Sequence, residues 1–313
     1  MQRRLSSRAT VWRAAAACGA IQLQIVAIAA AQTVEPISVE VTGAFQSPRI
    51  DESSGVAASR RYPGLLWTHN DSGDKPVLYA TNLSGDDLGS VRVRGAHAKD
   101  WEDIALGPCP AGLEAGSCIY IADTGDNSGK RRTVAVYVVP EPSLDSSGHV
   151  AADRTARSHR LRVTYRNGPH DVEALAVAPS GDLFLFTKGR FGPALVFFIS
   201  RKEVPTKKAT AKQIMALPIV TGRQLGRLVT GAAISPDGRE LAVRTYTELY
   251  FYLREGNSGL IPRGPPCWLG TVQLQGEGVD FLDSETVVLT SESVFGSRGT
   301  IAKAVCPART YPK

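Results

Sequence analysis

Five times along the chain a small or acidic residue opens a short apolar strand, a turn follows, and a second apolar strand completes the pair. The units begin Ser54-Gly55-Val56-Ala57, Glu102-Asp103-Ile104-Ala105, Glu173-Ala174-Leu175-Ala176, Thr230-Gly231-Ala232-Ala233 and Glu277-Gly278-Val279-Asp280. Their second strands are Leu65–Thr68, Ile119–Ala122, Leu183–Phe186, Leu241–Arg244 and Val287–Thr290. A unit this small cannot bury its own apolar face, so copies must stack on one another, and that requirement dictates the whole fold. The starts lie 48, 71, 57 and 47 residues apart. Pro179-Ser180-Gly181-Asp182 and Pro236-Asp237-Gly238-Arg239 sit at matching places and are turns by their chemistry. Third strands are expected at Val77–Tyr79, Val134–Val138, Leu195–Ile199 and Leu249–Tyr252, and outer strands at Val91–Val93, Leu161–Thr164, Ile214–Leu217 and Thr271–Leu274.

Four strands per unit at this spacing predict an all-β chain, a β-propeller of five antiparallel blades. A sixth blade within residues 140–172 is the alternative. Ile37–Val41 has no unit of its own and is expected to complete the last blade, joining the two ends of the chain. Pairing of that kind protects sheet edges.

Compartment is read from the N-terminus. Arg3, Arg4, Arg8 and Arg13 precede an apolar stretch, and Ala29-Ala30-Ala31 offers a small-residue cleavage site. This is the layout of a secretory signal peptide over residues 1–31, leaving a single domain over 32–313 in a secreted or periplasmic protein. Gln22 and Gln24 interrupt the apolar run, which therefore falls short of a membrane span of about 20 residues. Without that segment 32 basic residues face 30 acidic ones, a net charge of +2. Nucleic-acid binding gains no support from so balanced a chain. Cys109, Cys118, Cys267 and Cys306 remain, an even number that favours disulfides in an exported protein. Cys109 and Cys118 flank a Pro- and Gly-rich loop and are expected to pair, leaving Cys267 with Cys306.

Thr68-His69-Asn70-Asp71-Ser72-Gly73, Asp100–Ala105, Tyr120-Ile121-Ala122-Asp123-Thr124-Gly125-Asp126-Asn127 and Val229–Gly238 together resemble a group of secreted bacterial propeller proteins with WD-like repeats. More distantly the chain is similar to NHL and phytase-like propellers. The resemblance implies the fold and export, and says little about activity.

Chemistry is sought where the repeat brings side chains together. The first strand of each blade lines a propeller's central channel, so Glu102, Glu173 and Glu277 are expected to converge there, with Thr230 and Ser54 in the other two units. Three carboxylates on one axis repel unless a cation separates them, and Ca²⁺ with oxygen ligands suits the purpose. Capping of backbone N–H groups is the plainer role for the same glutamates. Loops after the second strands carry Asp71, then Asp123, Asp126 and Asn127, then Lys188, Arg244 with Tyr246, and Glu292. The acidic set, Asp71, Asp123, Asp126 and Asn127, is a candidate for metal ligation, although Asx turns explain such loops equally well. Lys188, Arg244, Tyr246 and Glu292 are candidate ligand-binding residues. No Gly-x-Ser-x-Gly, His-Glu-x-x-His or P-loop motif occurs.

The function expected from the sequence is that of an exported, monomeric binding or scaffold propeller. A Ca²⁺ ion would stabilise it, and a small molecule, glycan or protein would dock on its loop face. A metal-dependent hydrolase, acting on phosphate esters or glycosides, is the alternative.

Overall fold

The computed structural model describes residues 35–113, 116–219, 225–256 and 259–307. The expected signal segment, residues 1–31, lies outside them. Every strand falls within Thr33–Lys313, which forms one compact unit. In chain order, β1 (Glu35–Pro36) and β2 (Val39–Ala44) precede a meander of β3 (Ser53–Ala58), β4 (Leu66–Asn70), β5 (Val77–Thr81) and β6 (Ser90–Arg94). The next contains β7 (Trp101–Gly107), β8 (Cys118–Asp123) and β9 (Val134–Pro140), followed by β10 (Arg154–Arg157) and β11 (His159–Tyr165). A third comprises β12 (Val172–Val177), β13 (Leu183–Thr187), β14 (Leu195–Ile199) and β15 (Lys208–Ala216). The fourth runs through β16 (Val229–Ile234), β17 (Glu240–Thr245), β18 (Glu248–Glu255), β19 (Gly259–Pro262) and β20 (Cys267–Trp268). Last come β21 (Gly276–Phe281), β22 (Thr286–Ser291) and β23 (Thr300–Val305).

The chain is all-β, with the meandering antiparallel sheets of a β-propeller. Its innermost strands are β3, β7, β12, β16 and β21, the first strands of the five repeats. Each packs beside the next, and β21 packs beside β3. Small residues permit this approach: a Cβ on Gly231 would crowd the Glu277 carbonyl at 2.6 Å, and one on Gly55 would meet the Ile104 nitrogen at 2.7 Å. Apolar side chains between adjacent sheets form the core, such as Val136, Leu161, Leu185 and Phe197 in one interface and Phe184, Phe186, Val243 and Tyr252 in the next.

The outer strands depart from five uniform four-stranded blades. Residues 140–172 do not build a separate sheet: β10 joins the first meander, parallel to β6, and β11 is the outer strand of the second. β11 also pairs in parallel with β15, which merges the second and third meanders into one eight-stranded sheet. Thr271–Leu274 forms turns and bends, not the expected outer strand. Its Gln273 side chain turns inward to the Thr300 hydroxyl, 3.0 Å away, and β20 pairs with β18 instead, with β1 beyond it. β2 pairs antiparallel with β23, so an N-terminal strand lies at the edge of the C-terminal meander. Disulfides join Cys109 to Cys118 and Cys267 to Cys306, with Cα separations of 5.0 and 6.0 Å.

His69, on β4, illustrates how the interior handles a titratable group. It is fully buried, edge-on to Trp101 at 5.7 Å. Nδ1 lies 2.8 Å from the Asn70 carbonyl, which only accepts, so the ring proton sits there and buried Nε2 has no partner. Burial pushes its pKa down to about 4, against the weaker pull of that carbonyl. Below pH 6.5 the unfolded chain takes up a proton that the folded ring refuses until about pH 4. Stability is therefore lost as pH falls through that window, by about 3 kcal/mol in total. Urea denaturation at pH 7 and pH 4.5 is expected to show a smaller acid loss for His69→Phe than for the wild type. Equal losses would exclude His69 as the source.

Candidate functional site

A single backbone irregularity, repeated five times, builds the site. Each inner strand loses register with its neighbour at the opening of its repeat: between Ser53 and Gly55, Trp101 and Asp103, Val172 and Ala174, Val229 and Gly231, and Gly276 and Val279. The extra residues of these β-bulges are Ser54, Glu102, Glu173, Thr230 and, in the last, Glu277 with Gly278. A bulge re-aims a side chain that strict alternation would send elsewhere. Here it sets three glutamates against one another, 4%, 3% and 7% exposed for Glu102, Glu173 and Glu277.

Lys188, just after β13, is the cation among them. Its Nζ donates to Glu173 Oε2 at 2.7 Å. Burial alone would lower the lysine pKa, but Glu173, Glu102 and Glu277 outweigh it and hold the ammonium charged. One cation cannot balance the acids around it. Burial pushes Glu102 and Glu277 well above the usual carboxylate range, reinforced in each case by Glu173 among other acidic neighbours. Asp100 is raised to about 6 and Glu292 to about 7, again by burial and then by Asp71. At neutral pH this cluster must keep protons or accept another cation.

Asp71, Asp100 and Glu102 present carboxylate oxygens that all lie within 4.8 Å of one another. Glu102 is buried. Space beside it is kept by Gly125, where a Cβ would overlap both Glu102 and Asp100. Three hard oxygens, one of them from a buried carboxylate, fit a Ca²⁺-type donor set.

Asp71, Glu102, Glu173, Glu277, Lys188, Tyr246 and Glu292 thus belong to one neighbourhood, in which burial and then Glu277 push the Tyr246 hydroxyl pKa up. The other candidates stand apart. Asp123 accepts from Arg131 Nη2 at 2.8 Å and from the Asp100 N–H. Asp126 accepts from the N–H groups of Lys130 and Arg131, an Asx-type turn, and Asn127 accepts from Arg190. Their oxygens are taken by these donors, and none of the three is grouped with Asp71. Arg244 is also displaced from the mouth: it is 1% exposed, and its guanidinium donates to the Gly278 and Thr290 carbonyls and to Gln273 Oε1. Asp100 and Asp171 add to the acidic cluster. Both precede an inner strand by one residue, and the glutamates that follow are their only signal in the sequence.

Two cavities flank Lys188 and Arg190. One, of about 530 Å³, is bounded by Leu228, Tyr246, Leu274 and Gln275; the other, of about 450 Å³, by Asp126, Asp171 and Phe191.

No protein-family model matches the chain, and no curated protein sequence matches it. Among solved structures, it is similar to the PQQ-bound aldose sugar dehydrogenase of Streptomyces coelicolor, with a TM-score of 0.48 and 13% identity over 86% of this chain and 98% of that one. A putative oxidoreductase (glucose dehydrogenase) from Thermus thermophilus gives 0.48 and 12%, over 86% and 100% of the two chains. Kuenenia stuttgartiensis hydrazine synthase gives 0.38 and 11%, over 77% and 64%. At such identities no residue is transferable to a role.

Proposed function

We propose that this chain is an extracytoplasmic, five-bladed β-propeller that binds a hard divalent cation, Ca²⁺ by its donor set, at Asp71, Asp100 and Glu102. A small polar ligand would then settle between that ion and Lys188 and Tyr246. The carrying observation is the convergence of the Asp71, Asp100 and buried Glu102 carboxylates, whose oxygens all lie within 4.8 Å of one another. A buried carboxylate so placed costs stability unless a proton or a metal compensates it. Five inner strands with five equivalent bulges support the blade number, and pairing of β2 with β23 supports closure by the chain's own ends. Two disulfides support an oxidising compartment. No helix among the described residues is long and apolar enough to cross a membrane. Phosphoester hydrolysis has less support, because Arg244, the second cation expected at the mouth, is consumed by backbone carbonyls.

Calcium titration followed by thermal unfolding tests the proposal. A ligand at 100 times its dissociation constant adds about 2.7 kcal/mol, which moves the melting temperature of a chain this size by about 5–10 °C. Glu102→Gln is expected to abolish that shift while still folding. A melting temperature indifferent to Ca²⁺ in the wild type, or an undiminished shift in Glu102→Gln, would reject the site.

A further inference from the structure

We propose that the outer strands of the first three meanders form a binding groove for an acidic polysaccharide, a surface separate from the cluster around Lys188. Strands β6, β10, β11 and β15 carry eight arginines or lysines and no acidic residue, in a chain whose totals are close to balance. The ladders place like charges side by side: Arg92 next to Arg154, Arg94 next to Arg157, and Arg162 next to Lys208. Like charges directly opposed weaken a sheet. Among the described residues the one ion pair made by any of the eight is Arg154 with Asp153, at 3.9 Å and open to solvent.

Three of the eight, Arg157, Arg160 and Arg162, border a depression of about 530 Å³ together with His97, His159 and Lys207, with no carboxylate in its wall. Alternate residues of a strand share a face and lie about 7 Å apart, so Arg160 with Arg162 and Arg92 with Arg94 present charge in rows. A row of guanidinium forks matches a linear polyanion bearing carboxylate or sulfate groups, each able to accept two parallel N–H donors. A bilayer is a poorer fit, since none of the exposed large apolar side chains lies on these strands. Single-stranded nucleic acid is poorer too: stacking needs an open aromatic face, and Tyr137 is buried beneath Arg160.

The test is calorimetric binding of heparin and of polygalacturonate to the purified full chain. A chelator keeps the result independent of the proposed metal site. Binding is expected at low salt, weakening steeply between about 50 and 200 mM as counterions are displaced. The triple variant Arg157→Ser/Arg160→Ser/Arg162→Ser should bind at least about tenfold more weakly, a loss of about one decade in affinity. Arg92→Ser/Arg94→Ser, confined to exposed positions, should also weaken binding at an unchanged melting temperature. Heparin weaker than polygalacturonate would assign carboxylates as the recognised group, and the reverse order sulfates. Undiminished affinity in the variants, no glycan binding at low salt, or preference for a DNA duplex or phosphatidylglycerol vesicles would overturn the proposal.

Discussion

Asp103→Ala is expected to destabilise the protein by about 4 kcal/mol, lowering the melting temperature by about 10 °C. At the second position of the repeat the other four units carry Gly55, Ala174, Gly231 and Gly278, and only this one carries a polar side chain. Its carboxyl accepts from the Ile104 N–H at 2.8 Å, from Leu175 at 2.9 Å and from Ala232 at 3.4 Å. Leu175 and Ala232 belong to β12 and β16, so one side chain ties three inner strands together. Burial raises its pKa well above the usual range while these N–H groups oppose the rise. Alanine would leave backbone donors orphaned where water cannot replace the lost acceptor, at about 1–3 kcal/mol each. Asp103→Asn keeps the volume and one acceptor oxygen, and should fall between alanine and wild type. Thermal unfolding of both variants within about 1 kcal/mol of wild type would show that the carboxyl does not pin the strands.

The second large effect concerns Arg244. Replacement by methionine is expected to cost about 4 kcal/mol, because the guanidinium is buried and its partners would keep their unpaired oxygens. Burial lowers its pKa to about 10, with Glu277 opposing, so the side chain stays charged at neutral pH. Gly276 makes room for it, since a Cβ there would overlap the guanidinium. Arg244 connects β17 to the carbonyls of Gly278 and Thr290 on the next sheet. In urea titrations the midpoint of Arg244→Met should fall with an unchanged slope. A midpoint equal to wild type would return Arg244 to the list of residues available for a ligand.

Much of the architecture was legible from the repeat. Spacing identified the five inner strands, and it aligned Glu102, Glu173 and Glu277, which come together as expected. The bulges that aim them inward left no mark in composition, because an extra residue in a strand looks like any other strand residue. Asp100 was hidden for a related reason: it precedes the strand, where a loop role is the ordinary reading. Arg244 failed through strand parity. At the end of an expected strand Leu241–Arg244 it would open onto the loop face, whereas β17 continues to Thr245 and the guanidinium turns to carbonyls of the next sheet. Asp123 and Asp126 show the limit of reading acidic loops, since the same residues serve a turn or a metal equally well. Outer strands were least legible, because β10 and β11 find partners across meander boundaries that local periodicity does not register.

The pairing of β2 with β23 has a consequence for the order of folding. The ladder sets Val39 against Ala304 and Ala44 against Thr300, positions from opposite ends of the described chain. The earliest strands made must therefore wait, unpaired, until the last ones exist. Closing so long a loop is costly in chain entropy and slow, and it gains nothing until the final ladder forms. The inner strands can accumulate in chain order, but the last sheet is completed by two ends arriving together. A nascent chain halted short of Thr300 would present a partnerless β2, a ready template for association with another copy.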